Sequence, residues 1–325
     1  MTFGTEWGWG SDEKESRAVF DAYIEAGGNF VDTANLYTGG MSERFLGEFI
    51  KDRRDEIVLA TKYTLNMRPG DPNAGGNHRK SLVQSIEGSL RRLDTSYIDL
   101  FWVHSWDFIT PVDEIMRALD DLVRAGSVLY IGVSNPPAWA AAQANTLAEL
   151  RGWTSFVGMQ MQYSLVERAV EREVVPMCRE FGIGITPWSP LGGGLLTGKY
   201  ARIDAGSKAK IDESLRQDSN KGRLTEKNAR IIETVAAVAS EAERTPAQVA
   251  LRWLLQRPGV DSVILGARTP AQLADNLGAM DFELGTEHMA RLDRVSAIEL
   301  GYPHDFLASD SVQKYMFGGA KIEGK

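Results

Sequence analysis

The chain has a single cysteine, Cys178, in 325 residues, which excludes an intrachain disulfide and any multi-cysteine metal site and fits a reducing compartment. Histidine is almost as scarce. The four, at 78, 104, 288 and 304, form no close ligand pair, which weighs against a metal-dependent barrel hydrolase built on His104 and Asp32. No apolar stretch approaches the roughly 18 residues that span a bilayer, and Met1 to Glu15 has neither the basic flank nor the apolar core of a signal peptide. Long runs of one charge sign are also missing, and 36 Lys and Arg against 44 Asp and Glu leave a net charge of −8, so nucleic acid is a poor partner. No strand leads through Gly-x-Gly-x-x-Gly into a helix; Gly192-Gly193-Gly194 does not keep that spacing, so a Rossmann dinucleotide site is not expected. These absences point to a cytosolic protein without membrane, nucleic-acid or metal partners.

With 43% hydrophobic residues the chain can pack a core. Short β-rich apolar runs alternate with amphipathic helical patterns from end to end, the mark of a parallel sheet assembled from βα units. The runs Asn29–Asp32, Ile57–Lys62, Tyr97–His104, Val128–Val133, Phe156–Gln160, Ile183–Trp188 and Ser262–Leu265 are seven candidate strands, with Met1–Gly4 a clipped eighth. Between them apolar residues recur at helical spacing, as at Val19, Tyr23 and Ile24, or at Leu82, Ile86, Leu90 and Leu93. Ser42 and Glu43 open a helix to about Lys51, and Pro111 suits a first helical turn. Pro190 to Leu224, rich in Gly, Lys, Asp and Ser, reads as a long mobile loop after the seventh strand. Beyond it Thr225–Arg244 and Pro246–Gln256 read as two consecutive helices, one more than a strict barrel needs. The expectation is one domain over residues 1–325, a (β/α)8 TIM barrel with extra helices.

Asp32 closes the second of these strands, Lys62 the third, His104 the fourth and Gln160 the sixth, and in such a barrel all of these ends open onto one face. Singly, each has a plain structural reading: Asp32 caps a turn, Lys62 snorkels, His104 is a hydrogen-bonded core residue. Their joint occurrence reads as a catalytic cluster. The segments Asp32-Thr33-Ala34 with Tyr37, Ala60-Thr61-Lys62 and Leu100 to His104 resemble the motifs around the catalytic tetrad of the aldo-keto reductases. Tyr130 to Asn135, Thr186 to Leu191, and Ile264 to Arg268 with Gln272, Asp275 and Asn276 resemble that family's cofactor segments. The match extends to about Ala297 and is closest to the aryl-alcohol dehydrogenase-like and potassium-channel β-subunit-like branch.

This resemblance implies NADPH-dependent reduction of an aldehyde or ketone, and the chemistry of the residues agrees. A free tyrosine, with a pKa of about 10, is too weak an acid to protonate a developing alkoxide well. Lys62 favours the tyrosinate of Tyr37, Asp32 keeps Lys62 charged, and His104 donates a hydrogen bond to the substrate oxygen. The resemblance further implies that Trp188 stacks on the nicotinamide and that Ser134, Asn135 and Gln160 bind its carboxamide. Ser189, Pro190, Leu191, Gly192 and Lys199 would cover the pyrophosphate, with the long loop as a lid. Gly266, Arg268, Gln272, Asp275 and Asn276 would hold the adenosine end. There the fork of Arg268 at a helix start suits a 2′-phosphate, so NADP is expected over NAD. The plain alternative pairs Arg268 with Asp275, which stands where the family more often has glutamate.

Trp7, Trp9, Trp106 and Phe108 fall near the predicted mouth and point to an apolar or aromatic carbonyl as the small-molecule partner. A second reading, a cofactor-binding regulatory subunit like the channel β-subunits, uses the same residues and stays open here. Relatives usually carry a short hairpin that plugs the barrel floor, whereas this chain starts at Met1-Thr2-Phe3-Gly4. Four residues span about 13 Å against the 17–20 Å of a typical strand, so a truncated or mis-started version lacking that floor hairpin is expected.

Overall fold

Six apolar segments form the sheet: β1 Phe30–Asp32, β2 Val58–Tyr63, β3 Ile98–Val103, β4 Val128–Ser134, β5 Phe156–Gln160 and β6 Gly184–Ile185. A computed structural model of the chain describes residues 2–199 and 225–320. Within them every strand pairs in parallel with its successor, in the order β1 to β6. Parallel neighbours cannot be joined by a tight turn. The crossovers are α2 Met41–Ile50, α3 Arg79–Leu93, α4 Val112–Arg124, α5 Ala138–Arg151 and α6 Val174–Glu180, with α1 Glu13–Glu25 ahead of β1. Helix α4 shows why these segments coil: Ile115, Met116, Ala118 and Leu119 are buried, while Asp113 and Glu114 in its first turn and Arg124 in its last complement the helix dipole.

The sheet is curled, and one hydrogen bond measures the curl. Gln160 at the end of β5 donates from Nε2 to Oδ2 of Asp32 at the end of β1, 3.1 Å away. Four strand spacings would hold these ends about 19 Å apart in a flat sheet. Inside the curve lies Trp102 of β3, fully buried, with its ring over Gly132 of β4 and Gly158 of β5. A Cβ on either glycine would sit 2.4 or 2.9 Å from that ring.

Two expected strands are corrected. Ser262–Leu265 forms no ladder, although the chain there runs beside β6: Asp261 N donates to Ile185 O (3.0 Å) and Ile264 N to Pro187 O (2.9 Å). The Ile185 amide is shared between the Gly259 carbonyl (3.2 Å) and the Asp261 carboxylate (3.0 Å), and the pairing there is a single bridge from Ile185 to Val260. At the start, Met1 lies outside the described residues. Phe3 makes a lone bridge to Ser11 and leaves β1 with β2 as its neighbour. Gly4 and Gly10, at φ 102° and 113°, turn this segment back on itself.

After β6 come α7 Glu226–Glu241, α8 Pro246–Leu255, α9 Pro270–Leu277, α10 Thr286–Ser296, α11 His304–Ala308 and α12 Asp310–Phe317. Thr225, Thr245 and Thr269 each cap the helix they precede, and Thr245 forms a capping box with Gln248. Of the expected loop, Gly192–Thr197 is a short helical turn with Leu195 and Leu196 buried; residues 200–224, and the lid assigned to them, lie outside the described residues. Among the described residues no helix is long and apolar enough to cross a membrane.

Candidate active site

Strand ends bring the expected polar residues together. Lys62 is wholly buried, yet its ammonium is satisfied: Nζ donates to the Asp32 carboxylate and to the carbonyl of Thr33 (2.7 Å). It also lies 5.1 Å from the centre of the Tyr37 ring. Burial alone pulls the lysine pKa down, but the Asp32 charge and then Tyr37, which also hydrogen-bonds to it, outweigh burial and raise the pKa above the ordinary lysine value. Tyr37 sits in the tight turn Tyr37–Gly40 that follows β1, a turn forced by Thr38 and Gly39 at φ 50° and 63°.

His104 directly follows β3, with its ring edge-on to Tyr37 at 5.8 Å. Burial, and after it the Lys62 ammonium, push this imidazole down to about 3, so it is neutral at pH 7. Its buried Nδ1 has no hydrogen-bond partner among the described residues. A neutral ring facing a buried cation is a donor with little tendency to become charged.

Around this core Gln160 is buried and Ser134 stands opposite it in register. Asn135, at φ 54°, donates from Nδ2 to Ser134 Oγ (2.8 Å) and to the His104 carbonyl (3.3 Å), and accepts from Trp188 Nε1 (3.0 Å). The three expected carboxamide partners and Trp188 are therefore one linked set. Ser189, at φ 54°, Pro190, Leu191 and Gly192 continue from Trp188, and Lys199 is exposed. At the far end Gln272 Oε1 accepts from the Arg268 amide (3.0 Å), Asn276 is buried, Gly266 is exposed, and Asp275 is engaged by Gln248 Nε2 (3.2 Å). The Arg268 guanidinium has no ion-pair partner among the described residues, so the alternative pairing with Asp275 does not form. An unpaired cation ahead of the Thr269-capped helix α9 fits the phosphate of a dinucleotide.

Of the aromatics expected at the mouth, Trp7 packs on Tyr37 (6.2 Å, 76°) and on Trp9 (6.1 Å). Trp106 is buried and Phe108 exposed; both line a separate groove against α5. Sequence reading missed the support beneath the tetrad. Glu43, completely buried, accepts from Thr61 Oγ1 (2.6 Å), next to Lys62, and from Arg92 Nε (2.6 Å). Its partner lies 49 residues away, and only the helical position of Glu43 was visible in the sequence.

A family model described as aldo/keto reductase matches residues 1–297. Norsolorinic acid reductase stcV of Emericella nidulans is 39% identical over 327 residues, spanning 97% of this chain and 81% of that protein. Probable aryl-alcohol dehydrogenase AAD4 of Saccharomyces cerevisiae is 36% identical, spanning 93% and 94%. A Phanerodontia chrysosporium protein named aryl-alcohol dehydrogenase, with NADP(+) in its name, is 36% identical, spanning 94% and 83%. With the Asp32, Tyr37, Lys62 and His104 cluster at the strand ends and this match over most of its length, the chain belongs to the aldo/keto reductase family and is an oxidoreductase acting on carbonyl and alcohol groups.

Proposed function

We propose that the protein reduces an aldehyde or ketone, with an aromatic group as part of the substrate, to the alcohol, using NADPH and with Tyr37 as proton donor. The observation that carries this reading is the buried Lys62 ammonium between the Asp32 carboxylate and the Tyr37 phenol. Attraction is mutual, so the charge that Tyr37 stabilises in turn favours the phenolate left when the proton goes to the substrate oxygen. Asp32, held also by Gln160, keeps Lys62 charged and in place. His104, neutral, donates a hydrogen bond to the same oxygen and orients it without competing as the acid. A reduced nicotinamide, when bound, supplies the hydride.

Trp188, Ser134, Asn135 and Gln160 hold the nicotinamide end. Ser189 to Gly192 and Lys199 cover the pyrophosphate, and Gly266, Arg268, Gln272 and Asn276 take the adenosine end. Arg268 reads the 2′-phosphate with its planar fork. The relatives named as reductases and aryl-alcohol dehydrogenases support an aromatic carbonyl–alcohol pair, and the one named for NADP(+) supports NADPH. The curled parallel sheet and the backbone that follows β6 support one (β/α)8 barrel domain, and the single cysteine fits the cytoplasm.

Spectrophotometric oxidation of NADPH with benzaldehyde tests the reading. Tyr37→Phe should cut turnover by about 10²–10⁴-fold while NADPH binding, read by tryptophan quenching, stays unchanged. Turnover in that variant close to wild type would falsify the assignment of Tyr37. Slow release of cofactor without multiple turnover in the wild type would favour the regulatory-subunit reading instead.

A further inference from the structure

A groove beside the mouth plays no part in the chemistry above. It holds about 510 Å³ between the loop after β3 and helix α5, walled by Trp106, Phe108, Ile109, Trp139, Gln143 and Leu147. That volume lies in the range of ligand clefts, roughly 300–1,000 Å³. Both walls begin at the candidate site: one loop leaves from His104, the other from Asn135, and the Asn135 amide ties the two together through the His104 carbonyl. Phe108, Ile109 and Trp139 are 71%, 86% and 59% exposed, a contiguous apolar surface of the kind that marks a binding face.

This exposure is held in place. The Asp107 carboxylate accepts from Asn77 N (2.8 Å), Ile109 N (3.0 Å), Thr110 N (2.9 Å) and Thr110 Oγ1 (2.7 Å). Phe108 sits at φ 58°, in the left-handed region that bulky side chains rarely adopt. Burial works against the Asp107 charge, but the amides of Thr110, Asn77 and Ile109 outweigh it and lower its pKa, so the clamp stays ionised at neutral pH.

We propose that this groove is an outer subsite for the distal ring of an extended aromatic carbonyl substrate, with Trp139 and Phe108 as specificity-determining side chains and Asp107 as the positioning residue of the Phe108 wall. The inference rests on the carbonyl-reductase reading and adds the substrate class: two or more rings in line, the outer one uncharged. Thr110, Asp113 and Gln143 edge the groove, so an anionic distal group meets a carboxylate and no cation.

Steady-state reduction of benzaldehyde and of 4-(benzyloxy)benzaldehyde separates the two ideas. The wild type should show the lower KM for the two-ring aldehyde. Trp139→Ala should raise that KM about ten-fold with kcat held, and leave benzaldehyde kinetics unchanged. Gln143→Trp, which fills the groove from the exposed face of α5, should have the same selective effect. Asp107→Asn keeps the side-chain volume but weakens the charge-assisted hydrogen bonds; it should raise KM for the two-ring aldehyde and spare kcat on both. A wild-type preference for benzaldehyde, or variants that affect both aldehydes equally or neither, overturns the subsite while the reductase reading stands. Failure of the wild type to reduce either aldehyde overturns that reading and the subsite with it.

Discussion

His104 is held neutral in a place where the unfolded chain would leave it free to titrate. Its imidazole falls from 6.5 to about 3 on folding, so between those values the unfolded chain binds a proton that the folded chain does not. Stability is then full above pH 6.5 and declines as pH falls toward 3. At 1.36 kcal/mol per pKa unit over the two units between 6.5 and 4.5, the wild type at pH 4.5 should lose about 3 kcal/mol of unfolding free energy, relative to pH 7.5, beyond what His104→Gln loses, measured by urea unfolding. Equal losses in the two proteins would mean that His104 is not held neutral. At the other end of the site, the guanidinium of Arg268, which has no ion-pair partner among the described residues, gives a second residue-scale test. Arg268→Ala should weaken NADPH by about 1.5–3 kcal/mol and NADH far less, measured by fluorescence titration. The identities of all these residues were legible in sequence, because strand-end Asp, Lys and His are unusual together. What was not legible was that Asp275 answers to Gln248, since that contact depends on how α8 and α9 pack.

Among the elements, the centre of the sheet is set by one large residue and two absent side chains. Trp102 on β3 occupies the space that Gly132 and Gly158 leave on β4 and β5. Gly132→Ala places a methyl 2.4 Å from the ring, and the expected outcome is a loss of about 1–3 kcal/mol in urea unfolding. Trp102→Phe in the same background should recover part of it. Six of the eight expected strands appear near their expected places, because a buried parallel strand reads as an uninterrupted apolar run. Ser262–Leu265 is such a run without a ladder. Periodicity cannot show that the Ile185 amide is shared between the Asp261 carboxylate and the Gly259 carbonyl, or that the pairing beside β6 is a single bridge to Val260.

For the whole molecule, the closing contacts join segments far apart in the chain. Arg168, buried in the loop after β5, donates to both carboxylate oxygens of Glu171, to the Asp293 carbonyl (3.0 Å) and to Ser296 Oγ (2.7 Å) on α10. Its guanidinium lies 5.2 Å from the ring of buried Trp253, and Arg257, paired with Asp293, lies at 5.1 Å. Removing one partner of such a cluster leaves buried charge uncompensated. Arg168→Met should lower stability by about 3 kcal/mol, seen as a fall in the urea midpoint at constant slope.

Sequence alone determined the alternation of strands and helices, the strand ends that carry Asp32, Lys62, His104 and Gln160, and the place of Tyr37 a few residues past Asp32. Those features depend on local periodicity and on the rarity of ionisable groups at the ends of apolar runs. Tertiary structure alone decided the curl that brings Gln160 onto Asp32, the Glu43 bridge between Thr61 and Arg92, and the groove in which Phe108 faces α5 while Trp7 packs on Tyr37. Each of these depends on a distance between elements, and a one-dimensional pattern of apolar and polar residues records which face a side chain occupies but not what another element places opposite it.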